Sequence, residues 1–273
     1  MRTSFLLALA LACLSSPAFA GATDWQELAP GTRLRLIASE ARTVDGKTLV
    51  ALELEMPQST KTYWRVPGES GIPTEISLKG SDGITSHRLI WPYPIVEQQD
   101  GLTDFVYRGP TVIPIELEVG SGTAVVEASV IMGVCSDICI PAMADFSLPL
   151  DFSRPDSGQN LRITQALALA PIPWEGADQP VGQVALDAAS SVLEVPIDDT
   201  EVDPNSVIAD ASESGHLLGA PQKSPEGGLV ALPLIGGDDA ARLEGQPVRL
   251  IFMTRDGPYE VLRRVEASTS GGQ

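Results

Sequence analysis

The chain has 273 residues and a formal net charge of −18 at pH 7, with 36 acidic side chains against 18 lysines and arginines. Because such an excess repels phosphate backbones and anionic headgroups, nucleic acid is a poor candidate partner. No apolar stretch reaches the ~20 residues needed to span a bilayer, so we expect no stable membrane insertion. The length suffices for one large domain or two of ordinary size.

The N-terminus has the pattern of a secretory signal peptide. One arginine precedes an apolar run over residues 5–14, and Ala-Phe-Ala at 18–20 supplies an A-x-A cleavage site. We predict cleavage after Ala20 and export. A lipoprotein signal ending at Cys13 is the less favoured alternative. Removal of the signal leaves Cys135 and Cys139 as the two cysteines of the mature chain.

The region that follows, up to residue 152, consists of short β-type runs with turn signals about every ten residues. Many short strands of this kind favour a β-sandwich. Leu34, Leu36 and Ala38 alternate with polar residues, which predicts one buried face. The candidate strands are 33–39, 48–56, 62–66, 74–80, 86–92, 103–109, 111–119, 124–134 and 145–152.

The remaining residues predict a linker and a second, smaller β domain. The linker spans 153–173 and contains a possible short helix over 161–170, which Pro171 would end. The second domain spans 174–268 and leaves a flexible tail at 269–273. Its candidate strands are 182–188, 191–197, 228–236, 246–254 and 259–267. The sequence therefore predicts an all-β protein with two domains, 21–152 and 174–268.

The two mature cysteines stand three residues apart in VIMGVCSDICIPAM (130–143), and a structural staple is one explanation. A disulfide there would close a ring of five residues, worth about 2 kcal/mol against about 4.7 for a loop of 100. A domain of this size can bury a sufficient core without such help. The staple remains open because many disulfides of exported proteins are structural.

A copper site is the second explanation. Cu(I) prefers soft sulfur ligands, and Met132 and Met143 flank the cysteines. The run CSDICIP is similar to the CxxxCP motif of Sco-type copper proteins, although here it follows a β-type run. His87 lies upstream and His216 lies in the second domain, where such histidines are more often surface or packing residues.

Redox exchange is the third explanation. The intervening residues would form a turn on which opposed positions can reach the ~5.5–6 Å Cα separation of a disulfide. An exposed short ring lets a partner thiolate attack in line. The charge of Asp137, between the sulfurs, disfavours the thiolate form, so we expect a thiol that depends on a docked partner.

Three runs of the sequence resemble the N-terminal periplasmic domain of the thiol:disulfide interchange protein DsbD and, more closely, the same region of ScsB-like proteins. They are KTYWRVPGESGIPTEISLKGSDGITSHRLIWPYP, DFVYRG and VCSDICIPAMADFSLPL, and the resemblance covers about 30–152. It implies an immunoglobulin-like sandwich with a redox-active disulfide, Cys135–Cys139. In that family the domain takes electrons from a membrane-embedded partner and reduces thioredoxin-like periplasmic proteins.

The resemblance also implies residue roles. Cys139 would form mixed disulfides with partners, and Cys135 would resolve them. Asp137 and Pro141 belong to the surroundings of this active site. DsbD itself has a longer spacing between its cysteines, so the geometry is expected to differ here.

Two tyrosines and one loop complete the site that the resemblance implies. Tyr63 and Tyr107 match aromatic positions near the family's active site, with plain core packing as the equal alternative. The stretch 94–104 falls where that family has a cap loop that shields the cysteines.

The resulting hypothesis is a periplasmic thiol–disulfide interchange protein, a disulfide reductase component without cofactor or metal. The second domain would match, more vaguely, the extra β region that follows in ScsB-like proteins. A separate membrane protein is expected to supply the electrons, since neither the membrane domain nor the C-terminal thioredoxin domain of that family is recognised in this sequence. A copper(I)-binding or copper-tolerance module and a scaffold with an inert disulfide are the alternatives.

Overall fold

The computed structural model describes residues 21–39, 41–153, 155–225, 227–236 and 240–267. The predicted signal peptide and the predicted tail at 269–273 lie outside the described residues. No helix among the described residues is long and apolar enough to cross a bilayer. The fold is all-β, as predicted, with one α-helix among the described residues.

Eleven strands form two antiparallel sheets, which we call the N-terminal sandwich. They are β1 (Gln26–Ala29), β2 (Thr32–Ala38), β3 (Lys47–Glu55), β4 (Lys61–Gly68), β5 (Glu75–Ser77), β6 (Ile84–Leu89), β7 (Ile95–Gln99), β8 (Leu102–Arg108), β9 (Thr111–Val119), β10 (Ala124–Cys135) and β11 (Cys139–Leu150). One sheet has the order β1-β2-β3-β9-β6. The other has the order β11-β10-β4-β8-β7, and β5 also pairs with β10.

The core of the N-terminal sandwich lies between its two sheets. Leu34 and Leu36 of β2 point into it, as their alternation with polar residues predicts. Trp64 and Phe105 enter from the other sheet and meet edge to face, with ring centroids 6.0 Å apart. The inner faces of both sheets therefore share one apolar cluster, as in an immunoglobulin-like sandwich.

The helix α1 (Ser157–Leu167) follows the N-terminal sandwich and begins four residues before the predicted start. Asp156 is its N-cap and accepts hydrogen bonds from the backbone N–H groups of Gly158 and Gln159. This cap satisfies donors that the first turn would leave unpaired. Ile163 buries the helix against Ile37 and Ala51 on the outside of the first sheet.

Ten further strands form a second pair of sheets, which we call the C-terminal sandwich. They are β12 (Ile172–Pro173), β13 (Ala185–Asp187), β14 (Val192–Pro196), β15 (Ile208–Asp210), β16 (Leu217–Leu218), β17 (Gln222–Lys223), β18 (Leu229–Ile235), β19 (Pro247–Thr254), β20 (Gly257–Arg264) and β21 (Glu266–Ala267). The sheet orders are β12-β20-β19-β15 and β16-β18-β14-β13-β21, with β17 paired to β18.

The C-terminal sandwich has an apolar core of its own, in which Phe252 is fully buried. Two of its side chains, Ile208 and Ile251, instead join the core cluster of the N-terminal sandwich. The two sandwiches are therefore in apolar contact. The domain limits at 152 and 174 stay a prediction.

Candidate functional site

The two cysteines close the end of the β10–β11 hairpin. Twelve residue pairs run along this hairpin, and Cys135 opposite Cys139 is the last of them. The two residues form a disulfide with a Cα–Cα distance of 4.0 Å. This distance is shorter than the expected ~5.5–6 Å because the cysteines are directly opposed in a narrow antiparallel pair. The backbone N–H of Ser136 donates to the carbonyl oxygen of Ile138 across the turn, at 3.1 Å.

The two sulfur-bearing residues differ in their access to solvent. Cys135 is buried, with 1% of its surface exposed, whereas Cys139 is exposed. Asp137 is exposed in the turn, and Pro141 is exposed two residues beyond Cys139 on the same strand. An incoming thiolate can therefore approach Cys139 from solvent while Cys135 stays covered.

The side chain of Tyr63 lies directly against the disulfide. Its hydroxyl oxygen is 3.3 Å from Sγ of Cys135 and 3.6 Å from Sγ of Cys139. Disulfide sulfurs carry no hydrogen, so the tyrosine O–H is the donor in this contact. Burial raises the pKa of Tyr63 above its usual value, and the phenol therefore stays protonated at neutral pH.

Two glycines make room for the ring of Tyr63. A Cβ on Gly133 would lie 3.1 Å from the ring, and a Cβ on Gly71 would lie 2.4 Å from it. Gly133 belongs to β10, and Gly71 belongs to the segment 69–74 between β4 and β5, which we call the covering loop. The ring is thus enclosed between a strand and the covering loop, with Val106 and Cys135 as its buried neighbours.

Polar contacts from the start of β8 hold the covering loop in place. Asp104 is buried and accepts hydrogen bonds from the backbone N–H of Ser70, at 3.0 Å, and from its hydroxyl, at 2.6 Å. The backbone N–H of Thr103 donates to the carboxylate of Glu69 at 2.6 Å. Gly68 has a φ of +93°, and a Cβ there would lie 2.3 Å from the carbonyl oxygen of Thr103. Only glycine fits that approach.

A cluster of four charges lies beside Tyr63. Lys61 Nζ is 2.5 Å from Glu97 and 3.3 Å from Asp104, and Arg108 also binds Glu97. The ammonium group is 5.7 Å from the centroid of the Tyr63 ring. Burial acts to lower the pKa of Lys61, but the hydrogen bonds and charges around it raise that pKa above its usual value. Burial likewise acts to raise the pKa of Glu97, but Lys61 and Arg108 hold it below its usual value.

The structure places Tyr107 away from the sulfurs. Alternate residues of β8 face opposite sides of the sheet, so Val106 lies beside Tyr63 and Tyr107 points into the core. The Tyr107 hydroxyl donates to the carbonyl oxygen of Pro92 at 2.7 Å. Of the two tyrosines implied by the resemblance, the structure brings only Tyr63 to the disulfide.

The expected cap loop at 94–104 has a different structure. Most of it belongs to the hairpin of β7 and β8, which turns at Asp100 and Gly101 with φ angles of 53° and 83°. Positive φ at both positions is the signature of a two-residue type I′ turn. The segment packed on Tyr63 is the covering loop.

The methionines considered as copper ligands do not gather around the cysteines. Met132 is fully buried in the core, and Met143 is exposed on β11. Met143 lies four residues beyond Cys139 on the same extended strand, a span of roughly 13 Å. Within the described part of the chain, no group of three or more His, Cys, Asp or Glu side chains could hold a metal ion.

Sequence reasoning missed Lys61, Gly71 and Asp104 as parts of the site. Gly71 lies within GESGIP, a run that carries the resemblance, and a glycine can mark a place where another group approaches the backbone closely. Lys61 and Asp104 carry no comparable signal, because their pairing depends on strand register.

The N-terminal sandwich is immunoglobulin-like and carries a hairpin disulfide between one exposed and one buried cysteine. A tyrosine hydroxyl lies against both sulfurs. These features define a candidate thiol–disulfide exchange domain. Residues 34–151 match the family described as "Thiol:disulfide interchange protein DsbD, N-terminal". The resemblance to the N-terminal domain of DsbD is therefore confirmed for the N-terminal sandwich.

One solved structure extends the similarity of fold. The crystal structure of the N-terminal periplasmic domain of ScsB from Proteus mirabilis matches with a TM-score of 0.70 and 23% sequence identity. The match covers 91% of this chain and 100% of that chain, so it reaches well beyond the N-terminal sandwich. No curated protein matches.

Proposed function

We propose that the protein exchanges disulfides with thioredoxin-like proteins in the periplasm and delivers reducing equivalents to them through Cys135 and Cys139. The observation that carries the proposal is the unequal exposure of the two cysteines, with Cys139 open to solvent and Cys135 buried under Tyr63. Exchange needs one sulfur that a partner can reach and a second that resolves the mixed disulfide. The match of residues 34–151 to the N-terminal domain of the thiol:disulfide interchange protein DsbD supports this proposal.

The proposed reaction starts from the reduced pair. The Cys139 thiolate attacks one sulfur of the client disulfide, and the second client sulfur leaves as a thiolate that takes a proton from water. The Cys135 thiolate then attacks Sγ of Cys139 and releases the first client sulfur as a thiolate, which also takes a proton from water. The two cysteine thiols have each given one proton to water on ionisation. The client gains two electrons and two protons, and the chain ends with the Cys135–Cys139 disulfide.

Among the described residues, Tyr63 is the best placed to assist the second step. Its O–H can donate to the Cys135 thiolate, and a hydrogen bond to an ionised acceptor is about twice as strong as a neutral one. The buried sulfur thereby gains the stabilisation that water would otherwise give it. In the opposite direction, a membrane-embedded donor protein would restore the dithiol by attack on the exposed Cys139.

A trapping experiment tests the assigned roles. Cys135→Ser leaves Cys139 free to attack but unable to be resolved, so we expect a mixed disulfide with a thioredoxin-like periplasmic protein. Cys139→Ser is the matched control and should trap far less, because Cys135 is buried. Equal trapping by both variants, or trapping by the control alone, would contradict the proposal.

A further inference from the structure

An ion pair joins the two sandwiches close to Tyr63. Arg65 of β4 donates from Nε to Oδ2 of Asp210, at the end of β15, over 2.7 Å. The side chains are 26% and 10% exposed, so both are largely withdrawn from water. Arg65 is two residues beyond Tyr63 on the same strand, and its guanidinium also lies 4.3 Å over the ring of Trp64.

The surroundings of this ion pair fix the C-terminal sandwich against its neighbour. Ile208, two residues before Asp210, is fully buried in the core of the N-terminal sandwich, and Ile251 joins it there. The hydroxyl of Tyr93 donates to the carbonyl oxygen of Ser206. Apolar burial and polar contacts therefore coincide where β15 meets the N-terminal sandwich.

The regular backbone pairing of β4 with β8 is interrupted just after Tyr63. Tyr63 pairs with Val106 of β8, but the next pair is Gly68 with Asp104, so four residues of β4 stand against one of β8. Such a bulge interrupts the backbone ladder. Arg65 lies within this interrupted stretch of β4, and its ion pair with Asp210 fixes the stretch to the C-terminal sandwich.

The charges of the pair depend on each other. Burial acts to raise the pKa of Asp210, but hydrogen bonds from Ser212 and the charge of Arg65 hold it below its usual value. Nη2 of Arg65 is buried and has no hydrogen-bond partner among the described residues. The carboxylate of Asp210 is therefore the main group that balances the positive charge of this guanidinium. Loss of one member leaves the other as an uncompensated charge, which favours a local shift of β4.

We propose that the C-terminal sandwich positions Tyr63 against the disulfide through the Arg65–Asp210 ion pair, and thereby shifts the equilibrium between the disulfide and dithiol forms. The hydroxyl of Tyr63 contacts both sulfurs, so a small displacement of β4 changes both contacts. The physiological meaning of this effect rests on the proposed function. The equilibrium itself is a property of the cysteine pair and can be measured without a client.

The substitution Asp210→Asn tests the proposal on the full chain. Asparagine keeps Oδ1 as the acceptor for the backbone N–H and hydroxyl of Ser212, but it places an NH₂ group against the Nε donor of Arg65. We expect the equilibrium constant with glutathione to move about threefold toward the disulfide, since the thiolate loses part of its donor. Arg65→Gln should give the same shift.

The effect must depend on Tyr63. In a Tyr63→Phe background, Asp210→Asn should leave the equilibrium constant unchanged, because the hydroxyl it positions is absent. Arg35→Gln is the matched control. It breaks the Arg35–Glu53 ion pair, whose side chains are 16% and 14% exposed in the other sheet, and should leave the equilibrium constant as in the wild type.

Two results would overturn the proposal. One is a lower melting temperature in Asp210→Asn and Arg65→Gln with an unchanged equilibrium constant, which would make the pair purely structural. The other is an equal shift with and without the Tyr63 hydroxyl. A Tyr63-dependent shift in a protein that reduces no client would instead leave this inference standing and reject the proposed function.

Discussion

The hydroxyl oxygen of Tyr63 lies 3.3 Å from Sγ of Cys135 and 3.6 Å from Sγ of Cys139, so one phenol contacts both atoms of the candidate reactive bond. The ring is held between Gly71 and Gly133, which leaves it little freedom to turn away. A hydrogen-bond donor fixed in this way stabilises the form of the cysteine pair that carries more negative charge on sulfur, which is the thiolate form. Tyr63 is therefore the side chain through which the fold can adjust the chemistry of the pair.

Tyr63→Phe should shift the equilibrium with glutathione toward the disulfide by roughly threefold to tenfold. The lost hydrogen bond stabilises the thiolate of the reduced pair more than it stabilises the neutral disulfide. Alkylation of the equilibrated full chain measures the shift. Tyr107→Phe is the control, since it removes a hydroxyl of the same sheet that bonds to Pro92 on the core side. That variant should lose about 1 kcal/mol of stability and keep the wild-type equilibrium. Equal redox shifts in both variants would contradict this role for Tyr63.

Gly71→Ala should destabilise the N-terminal sandwich by about 1–3 kcal/mol, because the added methyl group overlaps the buried ring of Tyr63. Urea denaturation of the wild type and the variant measures the difference. Gly122→Ala serves as the comparison, since its Cβ would have nothing within 4 Å. Equal stability of the two variants would show that the covering loop does not pack on Tyr63 as described.

Reduction of Cys135–Cys139 should leave the fold intact. The bond closes only the last of twelve residue pairs in its hairpin, and a ring this short contributes about 2 kcal/mol at most. Circular dichroism with and without dithiothreitol should show the same β spectrum and a melting temperature lower by only a few degrees. Unfolding on reduction would point to a structural staple. A protein that works as a reductant must stay folded in its dithiol form, so that result would contradict the proposed function.

The charge cluster beside Tyr63 predicts a dependence of stability on pH. The pKa of Glu97 is lowered in the folded protein from its ordinary value of 4.5, so its contribution is present above that value and is lost as the pH falls through the folded pKa. The pKa of Lys61 is raised from 10.5, so its contribution is lost only as the pH rises through the folded pKa.

Glu97→Gln should therefore flatten the fall in unfolding free energy between about pH 5 and pH 3. Denaturant titrations across this range measure the slope. Glu118→Gln, at an exposed position of β9, is the comparison and should keep the wild-type slope. If Glu118→Gln flattened the curve as much as Glu97→Gln, the cluster would have no special part in acid stability.

Much of the fold follows from local pattern. The strand predicted at 111–119 coincides with β9, and the one at 124–134 falls one residue short of β10. The strand predicted at 145–152 begins too late, since β11 starts at Cys139. Proline disfavours a regular strand, but β11 is the edge strand of its sheet, where Pro141 can face outward without breaking a ladder.

The site depends on features that local pattern does not contain. Tyr63 and Cys135 are 72 positions apart, and they meet because Lys61 of β4 pairs with Cys135 of β10. Strand register over such a distance cannot be read from alternation alone. The hairpin at 95–108 could have been predicted locally, because Asp100-Gly101 is a strong turn signal. The cap loop expected at 94–104 was assigned to these residues instead.

The reduction potential of the Cys135–Cys139 pair tests the central claim most directly. The chain from residue 21 onward would be equilibrated with dithiol and glutathione buffers, and the fraction of disulfide would be measured at each ratio. Structural disulfides of secreted proteins lie below about −300 mV, so the account predicts a value clearly above this limit, together with disulfide exchange with a thioredoxin-like protein. A potential below the limit and no exchange would contradict it and identify the disulfide as a structural staple.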